Sequence, residues 1–387
     1  MIYTRHSVLK RGCSTWDKRQ MPVDEFQARL DLARQQMTRE GLDALVVYGD
    51  NYSFADLCYL TNYFPKVRGG IGVFPREGAV SLLLNIGSRD VPFAKTLTWV
   101  EDVRASNQLG RDAADLLKEK DLTHCRLGLL DSGKGFALPE LEALKSALPG
   151  VEWMPRDSMF QNARLKKGDR ELEVIRGAAT VLGELCDEAA TLIKSGRKEY
   201  EVIADIDRLA RDKGVEDIRI LAGEKRLLPP SSQNTAVIGG HWAVVFALQH
   251  DRYWAEAART YILNKSSKLE SVYRRAEDIV GTMANQLKPG GTVARVDKAA
   301  RDQLGEFYAP AQMYGFGNGL GLDQWEAPFL SEEEQRQSGW QTPAPQIGDR
   351  MTVALRVVFE TEGKLIAYGD TFEVKADGAQ SLTNSSR

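Results

Sequence analysis

The chain has 387 residues, a formal net charge of -3 and 43% hydrophobic residues, which together predict a soluble globular protein of two domains. A charge so near neutrality excludes the strongly basic surfaces with which proteins bind nucleic acid or anionic membranes. The first twenty residues contain no apolar run of signal-peptide length, and no run reaches a membrane span. We therefore expect a cytoplasmic protein, and free thiols for its four scattered cysteines.

Helix and strand patterns alternate over the first part of the chain. Residues 24–40 carry apolar side chains at helical spacing and end at Gly41, and the buried strand ALVVYG follows. Apolar runs at 71–74 and 79–85, separated by PREG, predict a hairpin. Further strands are predicted at 99–103, 126–131 and 151–154, and further helices at 93–96, 111–120 and 139–148. This alternation predicts an α/β domain, which we place at residues 1–162.

The pattern changes near residue 165. Residues 169–196 predict a long amphipathic helix, residues 199–214 predict a second helix, and residues 217–260 are strand-like. The same order returns with helices at 269–288 and 293–306 and strands at 352–360 and 364–375. Two helix pairs followed by two strand blocks indicate an internal pseudo-duplication within an α+β domain, residues 163–387.

The segment YGFGNGLGLDQWEAPFL, residues 314–330, contains four glycines and one proline. Such a segment lets the backbone approach a bound group closely, and a loop that caps a core is the less favoured alternative. The motif GNG at 317–319, followed by WEAP at 325–328, resembles a motif of the creatinase/aminopeptidase P family. That family has Gly-His-Gly and then His-Glu-x-Pro, so both histidines are replaced here, by Asn318 and Trp325.

Companion segments stand in the order expected for the same family. GLDALVV and CYLTNY resemble its N-terminal domain, and WAEAARTYIL at 254–263 resembles its Ser-Asp-x-Thr-Arg-Thr strand. GDRMTVALRVVF resembles the strand that carries a Glu-Pro, and YGDTFEV resembles the closing Glu-Asp-Thr. The resemblance runs from about Phe26 to Thr383. It implies an α/β N-terminal domain, an α+β pita-bread C-terminal domain and a homodimer.

Metal-dependent members of that family bind two metal ions through two aspartates, one histidine and two glutamates. The corresponding positions here are Val245, Glu256, Asn318, Arg356 and Gly369. Divalent ions need several anionic oxygens or imidazoles, and an inward guanidinium repels them. We therefore predict no metal and no other cofactor, as in the metal-free, creatinase-like branch of the family.

Strand alternation predicts which side chains would surround the pocket. Residues two apart share a face, so His241 is expected with Val245, and His250 and Trp254 are expected with Glu256. Aromatic walls with a carboxylate, a guanidinium, an amide and an imidazole suit a small zwitterionic or carboxylate-bearing molecule. Such a small-molecule substrate is the partner we predict.

Catalytic and binding roles follow from these residue types. Glu256 and His241 are the candidate bases, and Arg356 is the candidate for stabilising charge or binding a carboxylate. Arg68, in PKVRGGIGVF, resembles the place from which creatinase-like members reach a substrate carboxylate across a dimer interface. The predicted substrate-binding residues are Asn318, Trp325, Trp254, Arg68 and His250.

Structural roles are the alternative for each of these residues. Glu256 and Arg356 could pair with each other, the histidines could be hydrogen-bonded within their strand, and the tryptophans could be core packing. The catalytic histidine of creatinase lies in a His-Asn-Pro turn, which has no counterpart in LLPPSSQNTAV, residues 227–237. A serine of that segment, or His241, would have to replace it.

The pocket predicts a metal-independent enzyme that hydrolyses a C–N bond in a small amino-acid-like, amidine-like or lactam-like metabolite. A lyase acting on a similar molecule in the same pocket is a close alternative. A non-catalytic protein that binds a ligand or partner is another, motivated by the loss of both histidines. A peptidase with metal ligands displaced to His250, Asp251 and Glu256 is disfavoured, because adjacent strand residues face opposite ways.

Overall fold

The computed structural model describes residues 15–65, 68–130, 135–338 and 344–383. The chain divides into two compact units, one that ends at Asn162 and one that begins at Ala163. No helix within the described ranges is long and apolar enough to cross a membrane. Free thiols are present at Cys58, Cys125 and Cys186, as expected, and Cys13 lies outside the described residues.

The first unit is built on a six-stranded mixed sheet. Its strands are β1 (Ala44–Asp50), β2 (Gly69–Pro75), β3 (Ser81–Leu84), β4 (Asp102–Ala105), β5 (Arg126–Leu130) and β6 (Glu152–Pro155). Their spatial order is β4-β3-β2-β1-β5-β6, in which β2 pairs antiparallel with both β1 and β3 and the other neighbours are parallel. The predicted hairpin is confirmed. The strand predicted at 99–103 begins later, and Trp99 instead donates its indole N–H to the Leu60 carbonyl at 2.8 Å.

Among the described residues, the helices that the alternation predicts are present, and two further helices, at 55–61 and 161–165, were not predicted. The helices are α1 (Val23–Glu40), α2 (Ala55–Thr61), α3 (Val91–Ala94), α4 (Leu109–Glu119), α5 (Leu138–Ser146) and α6 (Gln161–Leu165). Helix α1 ends at Gly41, whose left-handed backbone (φ +66°) lets its N–H reach carbonyls of the last turn. Leu109, Ala113 and Leu117 of α4 are buried with strand residues in one core cluster, so an apolar helix stripe covers this sheet.

Within its described residues, the second unit combines six helices with an eight-stranded antiparallel sheet. The helices are α7 (Asp169–Leu192), α8 (Glu199–Asp212), α9 (Ser267–Ala284), α10 (Val293–Leu304), α11 (Tyr308–Gln312) and α12 (Glu332–Gln337). The strands are β7 (Asp217–Gly223), β8 (His241–His250), β9 (Tyr253–Ile262), β10 (Gly317–Gly319), β11 (Glu326–Phe329), β12 (Thr352–Thr361), β13 (Lys364–Lys375) and β14 (Gly378–Ser381). The sheet runs β11-β10-β12-β13-β9-β8-β7, with β14 paired to β13.

The two halves of this unit repeat the predicted order of two helices followed by strands. The halves meet where β13 pairs with β9, at Gly369 and Ala258. One face of each half is covered by its own helix pair. In the first half, Trp242, Val244, Phe246 and Leu248 share a buried cluster with residues of α7 and α8. In the second half, Val353, Leu355 and Val357 share one with residues of α9 and α10.

The opposite face of the sheet carries small side chains near its centre. Ala243, Val245 and Ala258 form a separate apolar cluster there with Val358 and Ala367. Small side chains on this face leave room for longer polar ones from neighbouring positions, and the candidate site lies among them.

Candidate functional site

An ion pair between Glu256 of β9 and Arg356 of β12 lies on the face opposite the helices. Arg356 Nη1 donates to Glu256 Oε1, and Arg356 Nη2 and Nε donate to the Tyr314 carbonyl at 3.1 and 3.3 Å. The two side chains are only 4% and 14% exposed. The structure therefore has the Glu256–Arg356 ion pair that the sequence analysis gave as an alternative to ligand binding. This pair fixes both side chains.

Strand β13 lies between these two residues, and its small residue Gly369 makes the pairing possible. Gly369 is the register partner of Arg356, and a Cβ there would lie 2.6 Å from the Arg356 Cβ. Thr371, two residues further on, accepts the Glu256 N–H at 2.9 Å and donates its hydroxyl to the Glu256 carbonyl at 2.8 Å. The absence of a side chain at 369 thus gives Arg356 room to reach across β13.

The second oxygen of Glu256 belongs to a polar chain that the sequence analysis missed. Gln324 Nε2 donates to Glu256 Oε2 at 3.2 Å, and Gln324 Oε1 accepts from Arg219 Nη1 at 2.7 Å. The Arg219 Cζ lies 4.5 Å from the Trp254 ring centroid and 5.5 Å from that of Trp325. Both predicted tryptophans therefore border the site, Trp254 buried and Trp325 54% exposed, with a guanidinium between them.

Strand register explains why Arg219 reaches this place. Arg219 of β7 is the partner of Ala247 in β8, and Ala247 is the partner of Glu256 in β9. Arg219 and Glu256 consequently stand in one row across three strands, on one face, with only a methyl group between them. This row depends on two pairings between distant segments, which single-strand alternation does not specify.

Asn318 is buried, and its amide organises the glycine-rich loop. Its Nδ2 donates to the carbonyls of Gly319 and Gln324, both at 2.7 Å. A Cβ at Gly317, whose φ is +126°, would lie 1.9 Å from the Ala354 carbonyl oxygen. The glycines therefore permit close strand packing, and Asn318 contributes to the site by holding the loop that presents Gln324.

His241 lies at the far end of β8 from Glu256. It pairs with Ile262, six positions along the ladder from the pair of Ala247 and Glu256, which is about 20 Å. Its Nε2 is 3.0 Å from the Glu224 carbonyl oxygen, and burial lowers the pKa of its imidazole. The structure does not bring this predicted base together with Glu256.

His250 lies on the opposite face of the sheet from Glu256, which corrects the expected grouping. It follows Trp242 to Leu248 in alternation, on the helix-covered face, and pairs with Tyr253, whose hydroxyl donates to Glu171 of α7 at 3.0 Å. The cause is the turn at residues 251–252, where both residues have positive φ and the alternation restarts. The sequence analysis had grouped His250 with Glu256 because it continued one strand alternation through this turn.

Arg68, the remaining predicted site residue, lies in the first unit. Its Nη1 donates to the Asn85 side-chain oxygen at 3.0 Å. A backbone φ of 59° places Arg68 in the left-handed region just before β2. A substrate contact by Arg68 across a homodimer stays a prediction.

Glu334 of α12 is a further residue that the sequence analysis missed. Its Oε2 atom is buried without a hydrogen-bond partner among the described residues. Burial raises the pKa of this carboxyl, the charges of Glu256 and Asp297 raise it further, and Arg356 and the Phe316 N–H oppose them. The sequence does not distinguish Glu334 from its neighbours, because Glu332 to Glu334 form an acidic first helical turn, which is an ordinary stabilising feature.

The glutamate of the WEAP motif has a structural partnership of its own. Glu326 is buried and accepts from Arg164 at 2.5 Å and from Lys167 at 2.8 Å. Burial alone would raise its pKa, but the two cations outweigh burial and lower it to about 2. This charged cluster anchors β11 beneath the glycine-rich loop.

The donor set of the site does not fit a divalent metal. Among the corresponding positions, Val245 and Gly369 offer no side-chain donor, Arg356 places a cation on Glu256, and the Asn318 amide nitrogen faces carbonyls. In the described part of the chain, no three His, Cys, Asp or Glu side chains come together as metal ligands would. At these corresponding positions a divalent ion would meet one carboxylate, that of Glu256, with a guanidinium bonded to it.

Comparison with known proteins identifies the architecture. Residues 173–376 match the model "Metallopeptidase family M24", and residues 29–166 match "Creatinase/Prolidase N-terminal domain". The X-Pro aminopeptidase of Thermotoga maritima superposes with a TM-score of 0.76 at 22% identity, over 93% of this chain and 98% of that one. The prolidase of Pyrococcus furiosus gives a TM-score of 0.73 at 20% identity, over 92% and 100%. The predicted α/β plus pita-bread fold is confirmed.

Alignments with curated relatives cover a smaller part of the chain than the structural superpositions do. The Xaa-Pro dipeptidase of Pyrococcus horikoshii is 25% identical over 203 residues, 50% of this chain and 58% of that protein. The Xaa-Pro dipeptidase of Pyrococcus furiosus is 25% identical over 192 residues, 48% and 55%. The chain thus spans just over half the length of these relatives, whose names are those of peptidases rather than of creatinase. The chain belongs to metallopeptidase family M24 and carries the creatinase/prolidase N-terminal domain ahead of it.

Proposed function

We propose that the chain hydrolyses a C–N bond in a small amino-acid-like or dipeptide-like molecule without a metal ion, as a metal-free branch of its family. The observation that carries the proposal is the buried Glu256–Arg356 pair with the Glu334 carboxyl beside it. A guanidinium can stabilise negative charge, and a carboxyl with a raised pKa can act as a base. The names of the relatives, Xaa-Pro dipeptidases, support the substrate class.

In this proposal Glu334 activates water. Its carboxylate takes a proton from a water molecule as the water oxygen bonds to the carbonyl carbon of the substrate. The same proton then passes to the departing nitrogen as the C–N bond breaks, which returns Glu334 to its carboxylate form. A raised pKa favours the first transfer, because a base works best when its pKa lies close to the working pH.

Arg356 stabilises the oxyanion that forms on the carbonyl oxygen. A guanidinium has five N–H donors, and three are used on Glu256 and Tyr314, which leaves two for a ligand. Glu256 then acts as a positioning residue that holds this guanidinium in place. Trp254 and Trp325 provide apolar walls, Asn318 holds the loop that carries Trp325, and His241 has no assigned step.

A non-catalytic, ligand-binding protein is the second candidate. One observation favours it: both oxygens of Glu256 are already engaged, one by Arg356 and one by Gln324. A carboxylate held in this way is a poor base. Without a reactive Glu334, the pocket would therefore bind a ligand and not convert it.

Release of amine from glycyl-L-proline, and from amidine and lactam metabolites, tests the proposal on protein kept in EDTA. We expect turnover that falls as pH drops through the raised pKa of Glu334, because only its carboxylate form accepts the proton. Glu334→Gln should lower kcat by about 10²–10⁴-fold and abolish that acidic limb. Glu333→Gln, on the exposed side of the same helix, is the matched control and should keep wild-type turnover.

Two outcomes contradict the proposal. Full turnover by Glu334→Gln would remove the base. Saturable binding of these compounds by the wild-type protein without product would favour the non-catalytic candidate.

A further inference from the structure

Arg219 has an unusual environment for a charged side chain. Its guanidinium lies between the indole rings of Trp254 and Trp325, at 4.5 and 5.5 Å from their centroids. Its hydrogen-bond partner is the neutral amide of Gln324, through Nη1 at 2.7 Å. Stacking on aromatic faces holds a guanidinium flat and leaves its edge free to bind.

Among the described residues, no carboxylate lies at hydrogen-bond distance from the Arg219 guanidinium. Asp217 Oδ2 lies 3.9 Å from Arg219 Nε, which is too long for a hydrogen bond. Arg356, in contrast, bonds Glu256 directly. The Arg219 side chain is also 33% exposed, so its unused N–H donors are accessible from solvent.

The place of Arg219 in the sheet puts its guanidinium near the groups that are proposed to carry out hydrolysis. Arg219 and Glu256 stand in one row, two strand spacings apart, which is about 10 Å. Two residues of extended chain span about 7 Å, so a dipeptide-sized molecule is comparable in length to this separation. Gln324 bridges the two ends by contacting both Arg219 and Glu256.

We infer that Arg219 binds the carboxylate of the substrate, with Trp254 and Trp325 holding its guanidinium flat so that it forms a paired contact. The ligand class is a small carboxylate whose apolar part packs on the exposed Trp325 ring. The inference deepens the proposed function and rests on it for the site, but the binding step does not depend on hydrolysis.

Matched pairs of ligands that differ only in the carboxylate test this inference. Glycyl-L-proline and glycyl-L-prolinamide, and benzoate and benzamide, are titrated into the protein and followed by tryptophan fluorescence and calorimetry. We expect each carboxylate to bind at least about tenfold more tightly than its amide, as a charge-assisted paired contact would give. Arg219→Met should abolish the ratio, and Arg219→Lys should restore part of it.

Arg208→Met is the control, since Arg208 is an exposed helix residue paired with Asp212. The inference is overturned if Arg219→Met keeps the wild-type ratio, or if no carboxylate binds more tightly than its amide. In kinetics, Arg219→Met should raise KM for glycyl-L-proline and leave kcat within a few-fold.

The two proposals fail separately. Discrimination between benzoate and benzamide without any turnover would leave Arg219 assigned and remove the hydrolase. Turnover with a KM unchanged by Arg219→Met would leave the hydrolase and remove the assignment of Arg219.

Discussion

Replacing Arg356 with methionine is expected to destabilise the protein by about 3–5 kcal/mol, because it would leave the buried carboxylate of Glu256 without its cation. Glu256 is 4% exposed on its side chain, so water cannot substitute for the guanidinium. Urea unfolding at neutral pH, followed by tryptophan fluorescence, measures this loss.

A double-mutant cycle separates the pair from general damage. Glu256→Gln combined with Arg356→Met removes both charges, so the double variant should be more stable than Arg356→Met alone. Two distant, independent residues would instead give losses that add within about 0.5 kcal/mol. Additive losses would mean that Glu256 and Arg356 do not form the buried pair on which the proposed site depends.

Glu326→Gln is expected to destabilise the protein by a similar amount, about 3–5 kcal/mol at neutral pH. The substitution leaves the Lys167 ammonium and the Arg164 guanidinium buried with a neutral partner, and those side chains are 3% and 10% exposed. The glycine-rich loop directly precedes Glu326, and Gly321 packs against the Glu326 carboxylate, so the packing of the loop should loosen as well.

The pH dependence of this effect has a definite sign. The pKa of Glu326 is lowered from 4.5 to about 2 in the folded protein, so its stabilisation is fully present above the unfolded value. It is lost as pH falls from about 4.5 towards 2. The unfolding free energies of wild type and Glu326→Gln should therefore converge in that window. Curves that stay parallel would refute the assignment, and Glu333→Gln serves as the exposed control.

Local sequence patterns predict much of this fold. Apolar spacing along α1 follows from burial of one helix face, and the continuous apolar strand ALVVYG follows from burial on both faces of the sheet. The resemblance also identified Glu256 and Arg356 as neighbours, which the structure confirms. What the pattern could not decide is whether two opposite charges bind a ligand or each other, since that depends on the reach of Arg356 across Gly369.

The missed and misplaced residues share one physical cause. Arg219 joins the site through the register of three strands, and register depends on pairing between distant segments. His250 was misplaced because two positive-φ residues restart the alternation after β8. Glu334 resembles its exposed neighbours in sequence, and only the packing of α12 near Gly315 distinguishes it.

Metal content tests the central claim most directly. Protein is produced in medium supplemented with manganese, cobalt and zinc, purified without chelator, and analysed by inductively coupled plasma mass spectrometry. A pocket with Arg356 paired to Glu256 should contain no stoichiometric divalent metal, and its turnover of glycyl-L-proline should be unchanged by EDTA. Near-stoichiometric metal, lost together with activity on chelation, would contradict the account.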